Sequence, residues 1–445
     1  MNENAKPRVV EPVRNQLSLQ PVDLEGLVPE EHPVRAIWAL VERLDLSEFY
    51  DEIAARGSAP GRSATDPRVL LALWLFANSE GVGSARLLDR LCDRDAPYRW
   101  ICGGVPVNHH TLADFRVKHG KKLDRLMTQL LAVLMKEGLV QLKRVAQDGM
   151  KVRASAGAAS FRRRQSLERC RDEAQEQVRK LRREIEADPS ASSKRVTAAR
   201  ERAAKARLEA VEAALAEIPE IEEQRAERDA KKPADAKRRG EIRVSTTDAE
   251  SRVMKMADGG FRPAYNVQLA TDESGFIVGA DVTNHGTDQP HLVPMLDEIE
   301  QRTGRAPDEY LVDGGFVTLE NIEVLSRRGA TPYAPLPTSR NKRTDPHESK
   351  PGDSAEVAAW RVRMGTEEAK RVYVQRGVLA ERTNADLRGH RGLDRLNVRG
   401  LHKVKAVVLL AALAFNVLRL LAAGGPTWPG TGRQWGPRPV PAADA

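Results

Sequence analysis

Two short apolar runs in this chain end on the same dipeptide. Val145-Ala146-Gln147-Asp148 is followed by Gly149, and Glu309-Tyr310-Leu311-Val312-Asp313 by Gly314-Gly315. Each run reads as a strand with an aspartate at its end. A strand end can hold a carboxylate beside the same position on a neighbouring strand. That narrows the chain to folds in which one sheet brings the two ends together. Asp-Gly is also a common turn dipeptide, so each run taken singly could be no more than a turn.

The surrounding pattern places these strands. Residues 1–140 read as helical. Asp66-Pro67 starts an apolar helix over 68–77, because Asp can cap and Pro suits the first helical position. Ser84 opens a second helix to Leu91, and the Gly-bearing turn Glu80-Gly81-Val82-Gly83 between them fits a helix-turn-helix. Thr111 with Asp114 resembles a capping box. An amphipathic helix over 122–136 stops at Gly138. Residues 141–161 hold the first strand, with Asp148.

Charge dominates 162–240. Leu167, Ala174, Val178, Leu181 and Ile185 form one helical stripe and Leu208, Val211, Leu215 and Ile218 a second, on either side of a turn at 188–193. This is a helical hairpin of coiled-coil type. It ends in the basic cluster Lys231, Lys232, Lys237, Arg238, Arg239 and Arg243, either a DNA-touching or dimerising arm or a solvated charged face.

Residues 241–423 read as α/β. Strands over 265–270 and 276–282 form a hairpin. A helix over 290–301, the strand with Asp313, a helix over 319–327 and a short strand over 331–334 follow. After a polar loop, 355–388 is helical around a break at Gly365, and 404–422 is an apolar helix. The Pro- and Gly-rich segment 424–445 is expected to be disordered. With the charged hairpin set aside, three hairpin-like strands precede alternating helices and strands. That is the order of a ribonuclease-H-like α/β domain. The expected architecture is an all-α N-terminal domain, then a ribonuclease-H-like catalytic domain interrupted after its first strand by the helical hairpin.

Composition narrows the function. The 445 residues hold 71 Lys+Arg and 63 Asp+Glu, a formal charge of +8, which favours a nucleic-acid partner weakly. At 41% hydrophobic the chain can build a core, which argues against global disorder. Cys92, Cys102 and Cys170 form no CxxC pair, argue against a disulfide scaffold and fit a reducing compartment. The first thirty residues lack an apolar stretch, so no secretory signal is expected. The longest uncharged apolar run, 406–415, has ten residues. A membrane span needs about 20. Asn416 and Arg419 interrupt that helix, which reads as core.

Glu381, on helical sequence, can complete a carboxylate cluster if its helix packs over the edge where Asp148 and Asp313 meet. Three carboxylates suit Mg²⁺ or Mn²⁺, since hard cations take oxygen ligands. Two such ions about 3.5–4 Å apart can stabilise both the attacking and the leaving oxygen of an in-line phosphoryl transfer.

Here the residues reach a family pattern. Tyr373-x2-Arg376-x4-Glu381-x6-Arg388 resembles the Tyr-x2-Arg-x3-Glu-x6-Lys signature of DDE transposases from bacterial insertion sequences. It has one extra residue before the Glu, and Arg in place of the final Lys. Ala146-Gln147-Asp148-Gly149-Met150-Lys151 is similar to the family's first-Asp segment, and Leu311-Val312-Asp313-Gly314-Gly315-Phe316 to its second. Asp258-Gly259-Gly260-Phe261-x3-Tyr265-Asn266-Val267-Gln268 resembles its second-strand segment. Trp360-Arg361-x-Arg363-Met364, Gly392-Leu393-x2-Leu396-x-Val398-Arg399-Gly400 and the N-terminal Thr111-x3-Phe115-Arg116 fit as well. The resemblance covers about residues 15–422 in consistent order.

It implies metal-dependent cleavage at transposon ends and strand transfer into target DNA. Asp148, Asp313 and Glu381 are then the catalytic metal ligands, with Mg²⁺ or Mn²⁺ as cofactor. Tyr373, Arg376 and Arg388 are expected to hold phosphates near the transposon end. The N-terminal helices are the candidate reader of terminal inverted repeats, with Arg86, Arg90, Arg116 and Lys118 within reach of phosphates. The implied partners are double-stranded DNA (inverted repeats and target) and further copies of the chain, as a homodimer or larger synaptic complex. A cytoplasmic, nucleoid-associated location, away from membranes, goes with that. The alternative is a decayed or domesticated transposase that only binds DNA. Its discriminator is an intact carboxylate triad, and all three residues are present. A structure-specific nuclease on the same fold is a third reading, against which the separate N-terminal region argues.

Two other clusters invite a metal reading. Asp281, His285 and Asp288 read better as a loop capping the next helix. Cys92, Cys102, His109 and His110 fit no familiar zinc spacing, and buried cysteine is ordinary.

Overall fold

The computed structural model describes residues 23–57, 63–187, 194–230, 240–337 and 345–424. The hairpin turn at 188–193, most of the basic cluster (231–239) and the segment from 425 onward lie outside the described residues.

Eight strands occur among the described residues: β1 (Arg144–Arg153), β2 (Phe161–Arg163), β3 (Arg243–Ser245), β4 (Arg252–Lys255), β5 (Phe261–Asp272), β6 (Ile277–Thr283), β7 (Glu309–Leu311) and β8 (Thr331–Tyr333). The main sheet has the order β4-β5-β1-β7-β8, with β6 also alongside β5. β1, β5 and β6 pair antiparallel, and β1, β7 and β8 pair parallel. This is the ribonuclease-H-like arrangement. β5 is buried along nearly its whole length, its polar Asn266, Gln268, Thr271 and Asp272 included.

β1 does not end at Asp148. Its ladder with β5 runs on from Val145↔Asp272 to Arg153↔Ala264. The β7 ladder, by contrast, stops at Ala146↔Leu311. Asp148 therefore lies within a strand, at the point where its parallel neighbour leaves the sheet. β2 and β3, absent from the sequence reading, pair Arg163 with Arg243. From that base rise two packed helices, Arg164–Ala187 and Lys194–Ala230. Leu167, Val211, Ala214, Ile218 and Val244 form their lower core, and Val178, Leu181 and Ala204 the outer one.

The helix Pro67–Ser79 starts where expected: Asp66 accepts from Arg68 N at 2.8 Å. It is apolar on all sides and buried on all sides. It packs on the helices Pro33–Val41, Ala96–Cys102 and Leu401–Ala422, while Ala85–Arg94 packs on Ala96–Cys102 and His109–Lys118. The two arms of the expected helix-turn-helix thus pack mainly on other helices. The expected capping box is also corrected: Asn108, not Thr111, caps His109–Lys118, accepting from His110 N and Thr111 N at 3.0 Å each.

One apolar core runs from these N-terminal helices into the sheet domain. The link is Leu401–Ala422. Its 22 residues are long and apolar enough to cross a membrane, but here they pack against Pro67–Ser79, His109–Lys118, Gly120–Lys136 and β6. Asn416, fully buried on this helix, accepts from Ile277 N and donates to Ile277 O, both at 2.8 Å. An asparagine inside an apolar helix so satisfies the backbone at the outer edge of β6.

Candidate active site

The parallel register of β1 and β7 sets the site. Ala146 stands opposite Leu311, and two residues further along each chain come Asp148 and Asp313. Both carboxylates are half-buried. Burial pushes the Asp148 carboxyl above its usual value. The Arg376 guanidinium opposes that shift, and the nearby Asp313 adds to it. Asp148 Oδ1 accepts from Gly149 N at 2.9 Å, and Oδ2 from Asn384 Nδ2 at 2.9 Å. Asp313 Oδ1 accepts from Gly315 N at 2.7 Å, which fixes the short turn Gly314–Phe316.

The third side of the site is a helical run. Glu367–Arg376 passes through one π-helical turn, Gly377–Glu381, into Arg382–Gly389. That turn accounts for the extra residue in the signature. In an α-helix, side chains four apart share a face; five apart, they diverge by about 100° more. A π turn absorbs one residue and restores the face. Arg376 Nη2 accordingly donates to Glu381 Oε1 at 3.0 Å across five positions. Tyr373 is half-buried beside Arg376, and burial raises its hydroxyl pKa. Arg388 is exposed further along the run.

The structure brings Asp148, Asp313, Tyr373, Arg376 and Asn384 together. Glu381 stands apart from the two aspartates: its side chain is 64% exposed and turned onto Arg376. Among the described residues, no three His, Cys, Asp or Glu side chains converge as a metal-binding group. The donor set nevertheless fits a hard divalent cation. Burial, with Asp313 nearby, raises the cost of ionising Asp148, and a cation between the two carboxylates removes that cost. Glu381 is one helical turn from Asn384, which already touches Asp148.

Other expected residues fare differently. Arg116 is interior, only 5% exposed, with Nη1 donating to Gly83 O at 2.6 Å and its guanidinium 4.4 Å from the Trp74 ring centroid. Burial lowers its pKa to about 10. As a phosphate contact it is corrected to a core residue. Arg86 and Arg90 are exposed, and Lys118 pairs with Asp114. Asp281 pairs with Lys405 at 2.8 Å. Asp288 precedes the turn Gln289–His291 without capping it by its side chain. Its carboxylate accepts instead from Asn266, Gln268 and Lys151. Cys92 and Cys102 are buried free thiols and His109 pairs with Asp89; among the described residues the imagined zinc cluster does not form.

Sequence reasoning missed Asn384, Asn266, Gln268 and Lys151. The signal was faint but present: Asn266-Val267-Gln268 puts two amides on one face of a strand, between Ala264 and Ala270.

Comparison with known families follows this geometry. Residues 22–118 match a transposase domain (DUF772), and residues 234–417 match a transposase DDE domain. Together they span more than half of the chain, leaving out the stretch that holds Asp148 and both hairpin helices. No curated protein and no solved structure matches the chain.

Proposed function

We propose, for a chain that belongs to the DDE transposases of bacterial insertion sequences, that it cuts DNA at the ends of its element and joins those ends to target DNA. The register that sets Asp148 beside Asp313 carries this reading. Asp148, Asp313 and Glu381 are the residues to hold Mg²⁺ or Mn²⁺, which when bound supplies positive charge to the attacking and leaving oxygens of phosphoryl transfer. Asn384 orients Asp148 through its Oδ2. Arg376 holds Glu381 through a single hydrogen bond and offers a planar donor fork to a DNA phosphate once released. Tyr373 and Arg388 extend that phosphate surface. The two charged helices form an insertion within the catalytic domain, and the N-terminal helices read the terminal repeats. The active species is a dimer or larger synapse in the cytoplasm, at the nucleoid.

The test is cleavage of labelled DNA carrying the element's flanking inverted repeats, with Mg²⁺ or Mn²⁺, comparing wild type with Asp313→Asn. Metal-dependent cuts at the repeat ends, lost in the variant, are the expected result. Tight end binding without cuts by the wild type would favour the protein that only binds DNA.

A further inference from the structure

A buried polar chain crosses the sheet on the face opposite Asp148. The Tyr310 hydroxyl on β7 donates to Gln147 Oε1 on β1 at 2.9 Å. Gln147 Nε2 donates to Gln268 Oε1 on β5 at 3.0 Å, and Gln268 Nε2 to Asp288 Oδ1 at 2.7 Å. Tyr310, Gln147 and Gln268 are at most 1% exposed. Asn266 Nδ2 at 2.7 Å and Lys151 Nζ at 3.0 Å complete the donors on Asp288 Oδ1. The chain ties β1, which carries Asp148, and β7, which leads to Asp313, to their neighbour β5. A satisfied buried network of this kind rigidifies what it joins.

Asp288 ends this network at a revealing place. A Cβ added to Gly149 would lie 2.2 Å from Asp288 Oδ1, 2.9 Å from its Cγ and 2.7 Å from the Gln268 Nε2 that Asp288 holds. A Cβ on Gly315 would lie 3.7 Å from Asp288 Oδ2. The carboxylate therefore occupies the space that a side chain at 149 would fill and abuts the turn that Asp313 caps. Gly149 is glycine because Asp288 stands behind it, not because the chain turns there.

We propose that Asp288 is a positioning residue for the catalytic pair. Held by Asn266, Gln268 and Lys151, it packs behind Gly149 and against Gly315 and so fixes where Asp148 and Asp313 stand. This rests on the metal-binding reading of those two aspartates. The role is indirect: Asp288 acts through the backbone of its neighbours rather than on DNA.

The test is Mn²⁺ affinity of the full chain without DNA, read from the electron paramagnetic resonance signal of free Mn²⁺. Asp288→Ala is expected to weaken binding about 10–100-fold, the range for residues supporting a metal site from behind. Gly149→Ala should also weaken it, by collision. The double variant should bind as Asp288→Ala does alone, because the collision with Asp288 is gone and the Gln268 amide, the other group in the way, is no longer tethered to Asp288 and can swing aside. An affinity for Asp288→Ala within twofold of wild type overturns the proposal, as do losses that multiply in the double variant. If circular dichroism shows Asp288→Ala unfolded, Asp288→Asn keeps the shape and must still bind more weakly. Asp313→Asn separates the two readings. If it binds Mn²⁺ as tightly as wild type, the metal assignment falls, and the positioning role with it.

Discussion

Arg116→Ala distinguishes a core arginine from a DNA contact. The Arg116 side chain makes a charge-assisted hydrogen bond to Gly83 O and lies over Trp74 inside the protein. Such a hydrogen bond contributes about 1.5–3 kcal/mol and a desolvated cation–π contact about 2 kcal/mol. Against that, Nε is buried without a hydrogen-bond partner. That offsets part of the gain, so the expected loss on truncation is about 2–4 kcal/mol. For a cooperative unit of 445 residues that corresponds to a fall in Tm of roughly 2–4 °C. The assay pairs calorimetric melting with the salt dependence of binding to end DNA. A residue on a phosphate contributes about 0.9 to the slope of log K against log salt concentration. Arg116→Ala should lower Tm as stated and leave the slope unchanged. An unchanged Tm with a slope reduced by about one would refute the interior placement and restore the phosphate contact.

Three further outcomes are expected. Burial raises the Asp272 carboxyl to about 7, against an ordinary value near 4, so the folded state resists its ionisation while the unfolded chain does not. The stability this group contributes is full below about pH 4 and is lost as pH rises to about 7. The Tm of wild type relative to Asp272→Asn should fall across that window and level off above it; a pH-independent difference would contradict the assignment. Deleting Val378, which is exposed within the π turn, should restore ordinary helical spacing and leave end cleavage within about tenfold of wild type. Inserting Ala after Val378 should instead rotate Glu381 by about 100° and cost roughly a hundredfold; equal effects of the two changes would show that the turn does not set the register. Finally, Arg163 and Arg243 are paired across β2 and β3, so Asn-Gly in place of 164–242 can close them as a hairpin. The shortened chain should keep a cooperative melting transition, and its loss would show that the charged helices are needed to fold the rest.

β1, β5, β6, β7 and β8, the hairpin helices and the helices over 67–79 and 319–327 were legible because each carries its own periodicity and end signals; β2, β3 and β4, three or four residues each, carry neither. Asp66 caps, Pro67 follows, and the helix forms where local chemistry puts it. The errors fall where a distant partner decides. Asp148 reads as a strand end, yet β5 carries the strand on to Arg153. Arg116 reads as a surface cation, yet Trp74 and Gly83 enclose it. Asp288 reads as a helix cap, yet Asn266 and Gln268, twenty or so residues earlier, claim its carboxylate.

By itself, the sequence determined the order of the longer helices and of β1, β5, β6, β7 and β8, the position of the two Asp-Gly segments and the extra residue before Glu381. These follow from propensity, capping and period, which act over a few residues. The tertiary structure decided that Asp148 and Asp313 stand side by side and that a π turn absorbs the extra residue. It also decided that one core unites the N-terminal helices with the sheet. Those depend on register, burial and hydrogen bonds between segments more than a hundred residues apart, as Asp148 and Asp313 are, and no local pattern encodes them.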